Sequence, residues 1–236
     1  MKYKRILIKL SGEALMGNHD FGISSEALNN YVEEIIEIRK KGIQLGIVVG
    51  GGNFYRGVQA KKTGITKVSA DKMGMLATIM NAIAIRDVFE AKGIEARVQT
   101  AIVMPQFVEI FNKESAVRHL SKERIIIFAA GTGNPLFTTD SAAAIRAIEI
   151  EANILIKATN VDGVYDKDPN KNPNAKKFDS ISYNECIERQ LEVMDLNAFV
   201  LCKENHLQIA VINLRKKGNL LKFLSGDKVG TIVQED

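Results

Sequence analysis

Asp140 is a carboxylate in a place that suits an anion-binding site. The apolar, β-branched run Ile125–Phe128 reads as a buried strand and leads through Ala129-Ala130 into Gly131-Thr132-Gly133-Asn134-Pro135. Thr138-Thr139-Asp140 then offers N-cap residues for a helix over Ser141–Glu151. A strand that opens through glycines into a helix start brings backbone N–H groups and the positive end of the helix dipole to a phosphate. A carboxylate there repels that phosphate unless it serves a lysine, a metal ion or the attacking group. The combination points to phosphoryl transfer rather than passive binding.

Other residues with chemical potential follow strand-like runs. Lys9 lies between Ile8 and Leu10 in Arg5–Leu10. It is either an edge lysine reaching solvent or a crevice cation that bridges phosphates, since a buried ammonium needs a charge partner. Gly50-Gly51-Gly52-Asn53 follows Ile43–Val49 and precedes Arg56, a potential phosphate clamp. Asp71 is expected in the first turn of a helix, where a carboxylate complements the dipole. Thr159-Asn160-Val161-Asp162-Gly163 follows Asn153–Lys157; Tyr165 beyond it could border a base, and Asp168 a ribose, or the stretch is a plain Asp-Gly turn. No Walker-type phosphate loop and no dinucleotide fingerprint occurs. His19, His119 and His206 lie outside these loops, which argues against a hydrolytic triad.

The elements that must position these residues alternate. Short apolar strands are followed by polar loops and amphipathic helices: Ser24–Lys41, a long helix over Ser69–Lys92 capped by Ser69, a helix near Val108–Leu120, then Tyr183–Arg189 and Asn197–Glu204. Gln208–Asn213 reads as a last central strand and Gly230–Val233 as an edge. This alternation predicts an α/β fold, a mostly parallel sheet between helices, with ligands outside the carboxyl ends of the strands. The strand-end loops after Leu10, Val49, Ala130 and Lys157 should therefore meet in one crevice. Met73, Leu76, Met80 and Ile83 form a stripe that is either core or, widened by Met75, Ile79 and Ala84, a subunit contact. The polar, proline-containing Asp166–Lys177 reads as an exposed excursion.

The 236 residues, 46% hydrophobic and 25% charged, fit one globular domain with a formal charge of +4. The basic residues are interspersed, which disfavours a nucleic-acid surface. Cys186 and Cys202 have no metal-ligand spacing, no membrane span is read, and a reducing cytoplasm is the expected location.

Taken in order, Lys9-Leu10-Ser11-Gly12, Gly50-Gly51-Gly52-Asn53 with Arg56, the string from Asp71 to Asn81, Gly131–Asp140, and Lys157-Ala158-Thr159 through Tyr165 resemble the amino acid kinase family. The likeness runs from Lys2 to about Val233 and is closest in detail to the bacterial branch that phosphorylates uridylate (UMP). The resemblance implies transfer of the ATP γ-phosphate to UMP, with Mg²⁺ held mainly through the ATP phosphates. It implies an acceptor part over roughly 1–150 and an ATP part over roughly 151–236. ATP would meet Lys9, Leu10, Ser11, Gly12, Gly52, Arg56, Thr159, Asn160, Tyr165 and Asp168. UMP would meet Gly51, Asp71, Thr132, Gly133, Asn134, Pro135, Leu136, Phe137, Thr138 and Thr139. Lys9 and Asp140 would be catalytic, Asp140 organising Lys9 and the metal-bound phosphates, with Asp195 a further acidic position near the site.

The family also implies a homohexamer, built as a trimer of dimers, with GTP as activator and UTP as feedback inhibitor. Gly17, Asn18, His19, Asp20, Phe21 and Gly22 resemble the GTP-linked loop. Arg86, Asp87 and Arg97 match effector positions, whereas Glu90 and Ser121 stand where basic residues are expected. Rival readings are a kinase of the same fold acting on a carboxylate or carbamate, and a nucleotide sensor. The Asn134-Pro135 and Thr138-Thr139-Asp140 runs favour UMP over the first, and the full set of Lys9, Arg56 and Asp140 disfavours the second.

Overall fold

The computed structural model describes residues 2–55, 64–169, 171–191 and 193–235. The β-branched runs form strands β1 (Arg5–Leu10), β2 (Gln44–Val49), β3 (Ala96–Thr100), β4 (Glu109–Ile110), β5 (Ile125–Ala129), β6 (Ile154–Thr159), β7 (Ser180–Ser182), β8 (Gln208–Asn213) and β9 (Thr231–Gln234). They join one sheet in the order β4-β3-β5-β2-β1-β6-β8-β9-β7. Pairing is parallel from β4 through β8; β9 runs antiparallel to β8, and β7 parallel to β9. The mostly parallel α/β sheet expected from the alternation is present.

Helices cover both faces: α1 (Ser25–Arg39), α2 (Lys67–Ala91), α3 (Lys113–Ser121), α4 (Thr139–Glu149), α5 (Tyr183–Glu188), α6 (Leu196–Glu204) and α7 (Asn219–Ser225), with a 3₁₀ turn at Gly12–Met16. Successive strand residues point to opposite faces. Ile6 and Ile8 of β1 therefore enter one core with Val32 and Ile35 of α1 and Ile79, Ala82 and Ile85 of α2. Leu7, between them, enters the other core with Ala143 and Ala147 of α4 and Phe199 of α6. Burial on both sides explains why the central strands are nearly continuous apolar runs.

The structure departs from the expected elements in several places. The long helix is capped by Thr66, whose hydroxyl accepts from Ser69 N at 3.2 Å, and not by Ser69. Asp71 is thereby its fifth residue, past the first turn. The expected helix near Val108–Leu120 divides: Glu109–Ile110 pairs with β3, and α3 starts only where Asn112 caps it, accepting from Ser115 N at 2.8 Å. The strand near Gly230–Val233 is not the edge; β9 lies between β8 and β7. Neither the short β7 nor α7, between Gly218 and Gly226 in left-handed conformations, was foreseen.

By length and composition alone α2 is long and apolar enough to cross a bilayer. Here it is a sheet-packed helix with Ile79, Ala82, Ile85 and Phe89 in the core. Its Met73, Leu76 and Met80 are 40%, 48% and 47% exposed, so these three of the stripe are surface, while Ile83 is half-buried against the core. The excursion after Tyr165 closes on itself, Asp166 N donating to Lys176 O at 3.1 Å and Lys176 N to Asp166 Oδ1 at 2.7 Å.

Candidate active site

β1 and β6 lie side by side, and their register sets Lys9 directly opposite Lys157. Residues paired across strands share a face, so two ammonium groups stand next to each other, an arrangement that repels unless an anion intervenes. Asp140 is that anion. Its Oδ1 lies 2.8 Å from Lys9 Nζ and its Oδ2 2.9 Å from Lys157 Nζ. Lys157 Nζ also donates to Val193 O at 2.8 Å. The side chains are 13%, 22% and 11% exposed for Lys9, Lys157 and Asp140, open enough to meet a ligand from one side. Burial raises the Asp140 pKa, but the fields and hydrogen bonds of Lys9 and Lys157 outweigh it and hold the carboxyl below its usual value. The cluster is therefore a carboxylate between two cations, with one positive charge in excess.

Lys157 was not singled out from the sequence. A signal was present: each lysine interrupts an apolar strand at its carboxyl end, just before a polar loop.

Asp140 is delivered by the first turn of α4. Thr138 caps that helix, its hydroxyl accepting from Asp140 N at 3.0 Å and Ser141 N at 3.4 Å. The helix thus offers its dipole and its carboxylate to the crevice, while those N–H groups are already engaged. Thr138 also donates to Asp195 Oδ2, and Ser141 donates to Asp195 Oδ1 at 3.0 Å. Asp195 in turn caps α6, accepting from Ala198 N at 3.0 Å. Asp195 therefore clamps two helix starts together rather than entering the lysine cluster.

The loops after β1 and β2 are packed backbone to backbone. A Cβ on Gly12 would lie 2.7 Å from both Gly50 O and Gly52 N, so only glycine allows this approach. Leu10 is 1% exposed and faces the core, which leaves its backbone alone for a ligand. The hydroxyl of Ser11 makes no capping bond to the 3₁₀ turn it precedes. Arg56 lies outside the described residues.

On the α2 side, Gly51, Gly52, Asp71, Gly74, Thr78, Gly131, Thr132, Phe137, Thr138 and Thr139 line one cleft. Six of the residues expected to meet UMP are thus brought together: Gly51, Asp71, Thr132, Phe137, Thr138 and Thr139. Gly133, Asn134, Pro135 and Leu136 are the outer arch of the same loop. Asp71 Oδ2 accepts from Leu136 N at 2.8 Å and holds that arch, with Leu136 in a left-handed conformation (φ 73°). The expected role of Asp71 as dipole complement is replaced by this tether. Thr78, also unforeseen, accepts from Ala130 N at 2.7 Å at the root of the loop.

Beyond Lys157, a second cleft of about 480 Å³ is lined by Thr159, Gly163, Tyr165, Asp168, Arg189 and Val211 among others. It brings together three of the residues expected to meet the nucleotide, Thr159, Tyr165 and Asp168. Asn160 is held beside it, its carbonyl accepting from Asn213 Nδ2 at 3.0 Å. Asp162 is locked by Asn213 at 3.0 Å and Lys216 at 2.9 Å, and the Lys216 hydrogen bond holds its pKa below the usual value.

The 17–22 loop folds against the glycine loop. Gly22 N donates to Asn53 O at 2.9 Å, and the Phe21 ring meets Phe54 edge to face at 5.4 Å. The other expected effector residues pair with their neighbours: Arg86 with Asp87 at 2.7 Å, and Arg97 with Glu90 at 3.3 Å.

Residues 4–213 match the model of the amino acid kinase family. Among solved structures, a UMP kinase from Bacillus anthracis is 37% identical, with a TM-score of 0.97 over 100% of this chain and 98% of that one. A UMP kinase from Ureaplasma parvum is 40% identical with a TM-score of 0.94 over 100% of both chains. A uridylate kinase from Archaeoglobus fulgidus is 27% identical with a TM-score of 0.72, covering 97% of this chain and 99% of that one. With its strand-end loops converging on a lysine–aspartate–lysine cluster and its whole length matched, this chain belongs to the amino acid kinase family.

Proposed function

We propose that this chain transfers the γ-phosphate of ATP to UMP, giving UDP and ADP, as a step in pyrimidine nucleotide synthesis. The observation that carries the reading is the cluster Lys9–Asp140–Lys157 between two clefts, one on the α2 side and one beyond β6. The solved relatives supply the acceptor: UMP kinases at 37% and 40% identity.

Phosphoryl transfer needs alignment and compensation of charge on the transferred oxygens rather than covalent help. In the proposed arrangement ATP lies in the cleft lined by Thr159, Tyr165 and Asp168, with its phosphates running to Gly12 and Gly52. UMP lies in the cleft formed by Gly51, Asp71 and the 131–139 loop. Lys9 and Lys157 flank the phosphate in transit. Asp140 keeps both ammonium groups in place before the nucleotides arrive, so the donors need no reorganisation when charge develops. Arg56 is assigned to the ATP phosphates from its place after the glycine loop. Mg²⁺ belongs to this reading as an ion held mainly through the ATP phosphates, beside the Asp140 carboxylate. Bound there, it would neutralise charge on the β- and γ-oxygens.

The same reading assigns residues 1–150 to the acceptor part and 151–236 to the ATP part, and a cytoplasmic location. It includes GTP and UTP as effectors, with the 17–22 loop as the GTP-linked element, and a homohexamer built through the exposed face of α2. The deciding experiment is ADP release from ATP and Mg²⁺ with UMP, CMP, dUMP, aspartate and carbamate offered separately, with and without GTP. Turnover with UMP is expected. Turnover only with a carboxylate or carbamate, or none at all, overturns the reading.

A further inference from the structure

The inward face of α2 carries three polar side chains, each holding a loop: Asp71 the arch at Leu136, Thr78 the root at Ala130, and Asn81 the glycine loop. Asn81 is 0% exposed, beside Ile79, Ala82 and Ile85. A primary amide buried among aliphatic groups is costly unless every polar atom is bonded. Its Nδ2 donates to Gly50 O and to Asn53 Oδ1, both at 2.7 Å, and its Oδ1 accepts from Asn53 Nδ2 at 2.8 Å. Asn53, 2% exposed, also donates to Gly22 O at 2.9 Å and accepts from Gly22 N at 2.9 Å. Gly50 N donates to Leu10 O at 2.9 Å, and Gly50 O is one of the atoms against which Gly12 is seated.

We propose that Asn81 is a positioning residue for phosphoryl transfer, acting through the carbonyl of Gly50 and the side chain of Asn53. Fixing the Gly50 carbonyl sets the plane of the Gly50–Gly51 peptide and so the direction of the N–H that follows it. It also fixes the seat of Gly12, on the other phosphate-facing loop. Through Asn53 the same amide ties the 17–22 segment to the glycine loop, so the three stretches move as one body. No apolar residue of similar shape can do this, because none donates to Gly50 O. The inference rests on the kinase reading for its kinetic part, but not for its structural part.

The test uses the whole chain with Asn81→Leu, which keeps most of the side-chain volume, and Asn53→Ala, which removes the partner from a loop rather than a packed helix. Steady-state kinetics with UMP and amide hydrogen exchange are measured on both. Exchange is expected to rise together in peptides covering 11–24 and 49–55 and to stay unchanged in β6 and β8. The kcat of Asn81→Leu is expected to fall on the order of 100-fold, as for a misplacement of about 1 Å. The KM for UMP should rise by less than kcat falls, because Asp71 and the 131–139 loop still hold UMP when the Gly51 N–H is displaced. Unchanged kcat overturns the proposal, as does faster exchange spread evenly over the sheet or confined to 49–55. If Asn81→Leu does not fold, Asn53→Ala decides by the same exchange pattern. If the wild type itself ignores UMP, the function reading fails while the exchange data still judge the network.

Discussion

Two lysines directly opposite each other on neighbouring parallel strands repel, and a single carboxylate between them changes the sign of that interaction. Asp140→Asn keeps the shape and removes the charge. Its kcat is expected to fall by about two to four powers of ten, for a loss of roughly 3–5 kcal/mol of transition-state stabilisation. Lys157→Met should lose turnover to a comparable degree. Near-normal turnover in either variant, measured with UMP and ATP, removes that residue from the mechanism. The lowered pKa of Asp140 also has a pH consequence. A depressed carboxyl contributes stability that is fully present above its unfolded pKa of about 3.9 and is lost as pH falls through the lower folded value. The melting-temperature gap between wild type and Asp140→Asn should therefore be constant from about pH 7 to pH 5 and close below about pH 4. A gap that closes near neutrality would mean the carboxyl is not held down by its lysines.

At the scale of elements, α2 acts as a ruler whose polar side chains, half-buried Asp71 and buried Thr78 and Asn81, hold successive loops of the acceptor cleft. Asp71→Ala frees the Leu136 N–H and loosens the arch that carries Pro135 and Phe137. The KM for UMP is expected to rise on the order of tenfold with the KM for ATP little changed, because the loosened loop lines only the acceptor side. Equal rises in both constants would give Asp71 a general structural role. Asp195 works differently, since it caps α6 and accepts from Thr138 and Ser141 of α4. Asp195→Ala should lower stability by about 1–2 kcal/mol through the lost cap, read as a shift in the denaturant midpoint. An unchanged midpoint would show the two helix starts to be held by packing alone.

For the whole molecule, the exposed apolar side of α2 is the feature a lone domain explains least. Met73, Leu76 and Met80 present flexible apolar side chains to solvent on a helix whose other side is core. Under the proposed hexamer this face meets its counterpart on another subunit. Leu76→Glu should then place like charges across the contact and shift the mass in solution, measured by light scattering, toward smaller species. An unchanged mass would place the contact elsewhere.

The alternation of apolar runs and polar loops was sufficient for the α/β class, the parallel sheet and the convergence of strand-end loops. Those depend on local periodicity and on the rule that parallel sheets bury both faces. Lys9 and Asp140 stood out because each is a charged residue unusual for its local element, whereas Gly12 and Asp71 were marked only by the family resemblance. Partnership was not legible. The pairing of Lys9 with Lys157 comes from strand register, and register is set by packing between residues far apart in sequence. Asn81 and Thr78 look like ordinary helix residues until the helix is laid across Gly50 and Ala130. Likewise β7 and α7 are too short to declare themselves, and the place of β9 between β8 and β7 depends on pairing with residues elsewhere in the chain. The sequence by itself determined which loops lie at the strand ends. Only the tertiary structure decided which atoms in them hold one another, because hydrogen bonds and ion pairs depend on distances that no local pattern encodes.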